Sequence, residues 1–292
     1  MPRFAYRSFE AVPAAAEAPL REVAPLLGER PRLFSPPHAH AYWFGRTDRH
    51  FAYLAGDAGA RRRVLLEVRR LDWAREQGLR VPPMVAHAPD GSWLVSELVP
   101  SDPPVGPGYV LAAAEAARAL AALPSPPPDV LEGSYERRAP RRGRLRRVAR
   151  LVAGGVNVRE FAGLRRAAAS LPADTVAHGD FHPSNVLYDE AAGAVTLTDF
   201  EMLGLAPAGS DLLLLWVTLD RDEDRELILD ELLRDAGAEE RRRLSIVHRW
   251  IAIRTLAERV ALPRSERDRE GIEEARRLLA LARENARVWS PA

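Results

Sequence analysis

The first hundred residues alternate between short apolar stretches and turn-forming residues, which is the pattern of a sheet. Ala41–Arg46 and Phe51–Ala55 are rich in aromatic and apolar side chains and are separated by a polar turn, so they predict a hairpin. Met84–His87 and Trp93–Leu98 predict two further strands, joined by a turn that contains proline, aspartate and glycine. The chain is therefore expected to begin with a small sheet.

One helix is predicted within this sheet-bearing part. Between Ala60 and Gln77 the apolar residues recur at spacings of three and four, and Gly78 then offers a helix stop. Glu67 lies on the same apolar stripe of this helix. The first part of the chain is therefore expected to be a small sheet with one helix.

The remainder of the chain has a helical pattern. Proline and glycine punctuate Pro100–Gly108, and the alanine-rich stretch Tyr109–Leu123 predicts a helix directly after them. The sequence beyond is mostly helical in pattern, with a break at His178–Gly209. We therefore expect an α+β fold in two lobes, a small sheet-bearing lobe over residues 1–99 and a mainly helical lobe over residues 100–292.

Composition removes several classes of chemistry. The 292 residues are 47% hydrophobic and 28% charged, as in folded proteins, and the formal net charge is only +1. All 42 basic residues are arginine and cysteine is absent, which excludes lysine Schiff bases, Walker-type lysines, cysteine nucleophiles, disulfides and thiolate metal sites. The N-terminus lacks a secretory pattern, and the longest strongly apolar run is Leu212–Val217. We therefore expect a cytoplasmic protein with no nucleic-acid and no membrane partner.

Two charged runs have ordinary explanations. The eight arginines between Arg137 and Arg150 could contact phosphate, but without interleaved aromatic residues they fit a solvated linker and helix face better. The ten carboxylates between Asp220 and Glu240 also fit a solvated helix face, because leucine and isoleucine supply a buried stripe there. If these carboxylates act on a ligand, they favour a cationic acceptor.

Two polar segments in an apolar setting, His178–Asn185 and Thr198–Glu201, carry the residues suited to chemistry. Two short predicted strands lie between these segments, so a hairpin would bring Asn185 and Asp199 to the same end. Their oxygens suit Mg²⁺, which takes few protein ligands and completes its shell with water and nucleotide oxygens. Asp180, five residues before Asn185, would lie near enough to orient a hydroxyl and accept its proton.

The pattern H-G-D-x-x-x-x-N, followed by an aspartate at the end of a short hairpin, resembles the aminoglycoside phosphotransferase and choline kinase-like family. That family is related to the protein kinases, whose catalytic loop reads H-R-D-x-x-x-x-N and whose metal-binding aspartate lies in D-F-G. The resemblance implies that Asp180 is the catalytic base and that Asn185 and Asp199 are magnesium ligands. It also implies that Asp211 braces the catalytic loop, a role that we expect His178 to share.

The resemblance extends upstream into the small lobe. Its last predicted strand looks like the one that leads into the hinge, which receives adenine on its backbone, so we expect Glu97, Leu98 and Val99 to bind the nucleotide. Glu67 corresponds to the helix glutamate that pairs with a strand lysine in the same nucleotide site. The resemblance covers about Ala41 to Val217 and implies ATP, with GTP as the alternative nucleotide, together with Mg²⁺.

Two features depart from the family pattern. The strand lysine that contacts the nucleotide phosphates is absent, and Ala55 stands at the position aligned with it. Arginine keeps the charge but not the compact ammonium group, so a substitute would act with altered geometry. The segment Leu33–Phe44 also lacks the glycines that favour close backbone approach to phosphates. The candidate substitutes for the lysine are Arg46, Arg49 and Arg61–Arg63.

Two functions of different classes remain. The first is ATP- and Mg-dependent transfer of the γ-phosphoryl group to a hydroxyl of a small molecule, with an aminoglycoside-, amino alcohol- or sugar-like acceptor. The second is a catalytically impaired pseudokinase that binds a nucleotide or a protein partner, which the missing lysine favours. Because Asp180, Asn185 and Asp199 are all present at this spacing, we expect the enzyme.

A third interpretation rests on histidines. The sequence D-R-H at residues 48–50 imitates the D-x-H of a binuclear metallophosphoesterase, with His178 and His182 as further candidate ligands. Such a site needs more asparagine and histidine ligands in glycine-rich turns, and the one later histidine, His248, falls in an amphipathic helix pattern. We therefore expect His182 to support the catalytic loop instead.

Overall fold

The computed structural model describes residues 7–9, 11–35, 41–131, 149, 151–261 and 268–289. Its N-terminal part is a sheet of six antiparallel strands in the order β1-β2-β3-β4-β6-β5. Two helices accompany the sheet, α1 (Ala14–Leu27) and α2 (Ala58–Glu76). The strands are β1 (Arg7–Phe9), β2 (Arg32–Ser35), β3 (Tyr42–Arg46), β4 (His50–Ala55), β5 (Met84–His87) and β6 (Trp93–Glu97).

The two faces of the sheet contact different parts of the protein. On β4, Ala52 and Leu54 belong to a cluster with α1, whereas Tyr53 and Ala55 belong to the core shared with α2 and the helical lobe. This alternation is the period of two expected of a strand that is covered on both faces. The inner face of the sheet is therefore the one that meets the second lobe.

The predicted hairpin, the two later strands and helix α2 are confirmed. The expectation of a single helix in this lobe is wrong, because the structure adds α1 together with the strands β1 and β2. Pro19 and Pro25 lie inside α1 and interrupt its helical pattern, although the helix buries Ala16, Val23 and Leu27 at helical spacing.

The C-terminal part is mainly helical, and residues 98–105 connect it to β6. Its helices are α3 (Gly106–Ala121), α4 (Pro128–Leu131), α5 (Val158–Ala169), α6 (Ser210–Trp216), α7 (Asp222–Leu233), α8 (Ala238–Ala261) and α9 (Arg269–Trp289). Two strand pairs interrupt the helices, β7 (Thr175–Ala177) with β10 (Gly204–Ala206) and β8 (Val186–Asp189) with β9 (Ala194–Leu197). None of the helices in the described ranges combines the length and hydropathy that a bilayer crossing requires. The arginine run 137–150 lies outside the described residues, apart from residue 149.

His248 of α8 is buried in the core of the helical lobe. Its ring meets Trp216 edge-on, with centroids 4.3 Å apart, and stacks on Trp289 at 5.2 Å. Neither ring nitrogen has a hydrogen-bond partner among the described residues, and burial lowers the pKa of His248 to about 3. A neutral imidazole therefore occupies this position at neutral pH.

Replacing His248 by leucine should remove a pH-dependent penalty. The unfolded chain protonates this imidazole below its ordinary pKa of 6.5, while the folded protein holds it neutral, so wild-type stability falls as pH decreases from 6.5 towards 3. Relative to His248→Leu, the wild type should lose roughly 2 kcal/mol of unfolding free energy between pH 7.5 and pH 5. Urea unfolding of both proteins at the two pH values measures this difference. A difference that does not change with pH would contradict the prediction.

Candidate active site

The hairpin of β8 and β9 brings the two polar segments together. Asn185 directly precedes β8, and Asp199 follows β9 after one intervening residue. The backbone N–H of Thr198 donates to the carbonyl oxygen of Asn185 at 3.0 Å, which closes the open end of the hairpin. The arrangement expected from the sequence, with both residues at one end of the hairpin, is therefore present.

Asp180 lies beside Asn185 in the loop between β7 and β8. The side-chain amide of Asn185 donates to the Asp180 carbonyl oxygen at 3.0 Å and to its carboxylate at 3.2 Å. The ring Nε2 of His182 lies 3.4 Å from the same carboxylate, whose side chain is 47% exposed. Burial favours the neutral acid, but the hydrogen bond and charge of His182, together with the hydrogen bond from Asn185, outweigh it and hold the pKa of Asp180 below its ordinary value. An ionised and accessible carboxylate results.

Asp211 supports this loop from α6. Its buried carboxylate accepts the backbone N–H of His178 at 2.7 Å and that of Gly179 at 3.0 Å. Burial raises the pKa of Asp211 to about 6, and these two hydrogen bonds oppose the rise. Gly179 has φ +78°, and a Cβ there would lie 2.4 Å from the carbonyl oxygen of Met202. The chain before Asp180 therefore follows a path that only glycine fits.

The side chain of His178 also supports the loop. Its Nε2 lies 2.9 Å from the carbonyl oxygen of Thr198, which can only accept, so this nitrogen carries the proton. Burial lowers the pKa of His178 to about 4, so the ring is neutral at neutral pH. The side chain thus connects the loop before Asp180 to the backbone directly before Asp199.

Asp199 is the one described non-glycine residue with a positive φ, at 60°. Such a backbone is uncommon for a residue with a Cβ, and it often marks a functional position. Burial and the charges of Glu201 and Asp180 raise the pKa of Asp199 to about 7. This group of carboxylates therefore lies in an environment that favours a nearby cation.

The donor set fits Mg²⁺. Because the amide nitrogen of Asn185 donates to Asp180, its amide oxygen remains available, and Asp199 adds a carboxylate. One carboxylate and one amide suit an ion that keeps several waters and phosphate oxygens in its shell. In the described ranges no three histidine, aspartate or glutamate side chains are grouped as a metal site needs. The D-R-H sequence at 48–50 lies at the turn between β3 and β4 and not in the loop of His178 and His182.

Glu67 does not contact a lysine but the backbone beside Asp199. Its buried carboxyl group accepts the backbone N–H of Phe200 at 2.9 Å. Burial and the charge of Asp199 raise the pKa of Glu67 to about 8, so this group holds its proton at neutral pH. The helix glutamate therefore meets the loop that carries Asp199.

Arg70, which no sequence motif marks as a site residue, is fully buried on α2 one turn after Glu67. Its guanidinium donates to the carbonyl oxygens of Phe200 at 2.9 Å, Glu201 at 2.6 Å and Val130 at 2.9 Å. Glu67 and Arg70 thus hold the N–H and the C=O of the same residue, Phe200. The one indication of this role in the sequence was the spacing, since an arginine three residues after Glu67 lies on the same side of a helix.

The position aligned with the missing lysine, Ala55, lies on β4 opposite an aromatic residue of β3. Ala55 pairs directly with Tyr42 of β3, so both side chains lie on the inner face. Burial, together with the charges of Tyr53, Asp199 and Glu67, raises the pKa of Tyr42. A phenol therefore lies near the carboxylates where the family pattern has an ammonium group. The arginines suggested as substitutes are all exposed, namely Arg46, Arg49 and Arg61–Arg63.

The expected hinge follows β6. The backbone N–H of Glu97 donates to Pro83 at 2.9 Å and that of Leu98 donates to Arg49 at 2.8 Å. The N–H of Val99 donates to no described residue, so this hinge donor is without a partner in the described ranges.

Aromatic rings connect this hinge to the carboxylates. Phe51 pairs with Ser96 directly before the hinge, and Tyr42 lies near Asp199. Contacting rings in this group have centroids 5.2–5.9 Å apart, which provides a continuous apolar surface on the inner face. The five rings are those of Phe34, Tyr42, Phe44, Phe51 and Tyr53.

The acidic stretch 220–240 is only partly the solvated face that was expected. Asp224 and Glu231 are buried, and Asp224 accepts the backbone N–H of Gly106 at 3.1 Å. Several other contacts are ion pairs with arginine, so this stretch gives no support to the idea of a cationic acceptor. The pairs are Asp222 with Arg225 and Arg277, Glu231 with Arg118 and Arg234, and Glu239 with Arg242 and Arg243.

Comparison with known proteins gives one family. A family model described as the phosphotransferase enzyme family matches residues 38–247. A search of curated proteins found no match.

Solved structures give the same fold. An aminoglycoside-3'-phosphotransferase of type VIII is 25% identical, over 82% of this chain and 99% of that chain, with a TM-score of 0.52. A choline/ethanolamine kinase family protein from Mesorhizobium loti is 18% identical, over 93% and 98%, with a TM-score of 0.60. Aminoglycoside 2'-phosphotransferase-IIIa in complex with GDP is 14% identical, over 92% and 99%, with a TM-score of 0.56. The expected α+β fold in two protein-kinase-like lobes is confirmed.

Proposed function

Because the chain belongs to the phosphotransferase enzyme family, we propose that it is a small-molecule kinase that uses ATP or GTP and Mg²⁺ to phosphorylate a hydroxyl group. The observation that carries this proposal is the meeting of Asp180, Asn185 and Asp199 at one end of the β8–β9 hairpin. A protein that only needed these turns would not require an ionised, accessible aspartate beside a buried carboxylate in a left-handed backbone.

Asp180 is the proposed catalytic base. Its exposed carboxylate, with a pKa held below the ordinary value, is ready to orient the acceptor hydroxyl and take its proton. The acceptor oxygen bonds to the γ-phosphorus while the bond from that phosphorus to the β,γ-bridging oxygen breaks, and the nucleoside diphosphate leaves. Asn185 fixes the carboxylate through its amide nitrogen. His178 and Asp211 hold the loop, so the carboxylate does not have to be ordered during the reaction.

Asn185 and Asp199 are the proposed magnesium ligands. The ion would neutralise charge on the phosphates and relieve the repulsion that raises the pKa of Asp199. The hinge of Glu97, Leu98 and Val99, with the aromatic rings of the inner face, is the proposed site of the base, and Glu67 contributes by holding the loop of Asp199.

A thermal shift experiment tests nucleotide and metal binding together. ATP or GTP with Mg²⁺, at about 100 times its Kd, should stabilise the fold by roughly 2.7 kcal/mol, and a chain of this size should melt a few degrees higher. The magnesium-dependent part should disappear in Asp199→Asn, because this variant lacks the carboxylate ligand. Glu190→Gln, an exposed change in the same hairpin, should behave like the wild type.

The same experiment separates the enzyme from the pseudokinase interpretation, which the absence of a cation at Ala55 favours. A shift that needs no Mg²⁺, or one that survives in Asp199→Asn, supports a binding protein. The absence of any shift with both nucleotides would contradict both interpretations as nucleotide-dependent functions.

A further inference from the structure

A cavity of about 370 Å³ opens in the helical lobe next to the candidate catalytic loop. Gly179, the residue directly before Asp180, forms part of its wall. The other walls come from α5 and the residues after it, the end of β10 with Pro207, α6 and α8, so the cavity is distinct from the inner face of the sheet. Its size is within the range of small-molecule sites.

The lining of this cavity combines apolar groups with positive charge. Leu171, Leu214 and Ile251 supply an aliphatic surface, and Trp250 adds an aromatic one. Two arginines, Arg165 and Arg254, are the charged residues of the lining, and the described residues contribute no carboxylate to it. A polycationic ligand would therefore meet two positive charges in this lining, with Glu258, 3.6 Å from Arg254, as an acid outside it.

Neither arginine of the lining has a carboxylate within good hydrogen-bond distance among the described residues. The exposed side chain of Arg165 makes no hydrogen bond or ion pair with any described residue. Arg254 has a buried Nε without a hydrogen-bond partner, and its Nε lies 3.6 Å from Glu258, beyond the range of a good hydrogen bond. By contrast, Arg225, Arg277 and Arg283 each donate to carboxylates at 2.5–2.9 Å.

Resting on the proposed phosphotransferase function, we propose that this cavity binds the acceptor, and that the acceptor is a largely apolar hydroxyl compound with a carboxylate or phosphate group held by Arg165 and Arg254. Guanidinium groups match both anions through paired N–H donors. The apolar part of the acceptor lies against Trp250 and the aliphatic surface, with its hydroxyl directed past Gly179 to Asp180. Cationic aminoglycosides and amino alcohols are then poor acceptors.

This assignment is tested by comparing the binding of three alcohols that share one carbon framework and carry an anionic, a neutral or a cationic group. We would titrate the full chain with 4-(hydroxymethyl)benzoate, 4-(hydroxymethyl)benzamide and 4-(hydroxymethyl)benzylamine by ligand-observed NMR. The carboxylate should bind about tenfold more tightly than the amine, because a charge-assisted hydrogen bond replaces a repulsion. Arg165→Gln and Arg254→Gln should each weaken carboxylate binding several-fold. Both variants should weaken amide binding much less than carboxylate binding, and retained amide binding also shows that they are folded.

Arg243→Gln is the matched control, since Arg243 is exposed on the same helix as Arg254 and lies outside the cavity. Arg254→Glu should reverse the preference in favour of the amine. Equal or tighter binding of the amine by the wild type, or no binding of any of the three compounds, would overturn the assignment. Unchanged carboxylate binding in both glutamine variants would do so as well.

Transfer from MgATP to the same three alcohols separates this assignment from the proposed function. Phosphorylation of the amine as fast as the carboxylate would reject the anionic acceptor and leave the kinase intact. Arginine-dependent binding of the carboxylate, in a protein that shows no magnesium-dependent nucleotide shift, would support the cavity assignment and reject the kinase.

Discussion

Asp180→Asn should lower the rate of phosphoryl transfer by about 100- to 10,000-fold, the usual contribution of a positioned general base. Asparagine keeps the size of the side chain and can still contact Asn185 and His182, so the loop should stay in place. What it loses is the ability to accept the proton of the acceptor hydroxyl. The measurement is a single-turnover rate with saturating nucleotide and Mg²⁺, in which substrate binding does not limit the result.

The control for this change is Asp235→Asn, an exposed aspartate far along the chain that should leave the rate unaltered. Nucleotide-dependent stabilisation should also be retained in Asp180→Asn. A rate within a few-fold of the wild type, in a variant that still binds nucleotide, would remove Asp180 from the chemistry.

Arg70→Met should cost about 3–5 kcal/mol of unfolding free energy, because each buried backbone carbonyl left without its donor costs about 1–3 kcal/mol. Three backbone carbonyl oxygens, those of Val130, Phe200 and Glu201, would lose their donor inside the protein. Burial lowers the pKa of Arg70, yet the group remains a cation, and it is the positive charge that acts on Glu67. Urea or thermal unfolding measures the loss.

Arg69→Met is the matched control, because the neighbouring Arg69 is exposed on the same helix, and it should change the unfolding free energy by less than about 0.5 kcal/mol. Arg70→Lys should recover part of the loss, since an ammonium group keeps the charge but cannot reach three carbonyl oxygens in a fixed fork. Equal stability of the wild type and Arg70→Met would show that these hydrogen bonds contribute little.

The local parts of this protein could be predicted from the sequence. The hairpin around β8 and β9 needs only a short apolar alternation and a turn, and it determines that Asn185 and Asp199 come together. Helix α2 was predictable because its apolar residues repeat at three and four and Gly78 follows it. Helix α1 was not, because two prolines lie within a pattern that tertiary contacts with the sheet complete.

The non-local parts of the site were out of reach. Arg70 resembles the many surface arginines of this chain until its partners, up to 131 residues away, are known. The role of Tyr42 depends on its pairing with Ala55, which only the register of β3 and β4 reveals. The acidic stretch is only partly a non-local case: Arg118 of α3 and Arg277 of α9 come from distant parts of the chain, whereas Arg225 and Arg242 pair with carboxylates three residues away.

The two hydrogen bonds from α2 to the backbone of Phe200 also couple the stability of the helix to that of the loop of Asp199. Glu67 and Arg70 bind the N–H and the C=O of a residue adjacent to Asp199, so the helix cannot leave the loop without breaking both contacts. The helix and the loop therefore open as one cooperative unit. By reciprocity, a ligand that stabilised the loop of Asp199 would also stabilise α2, and a change that displaced α2 would weaken the proposed binding at Asp199 by the same factor.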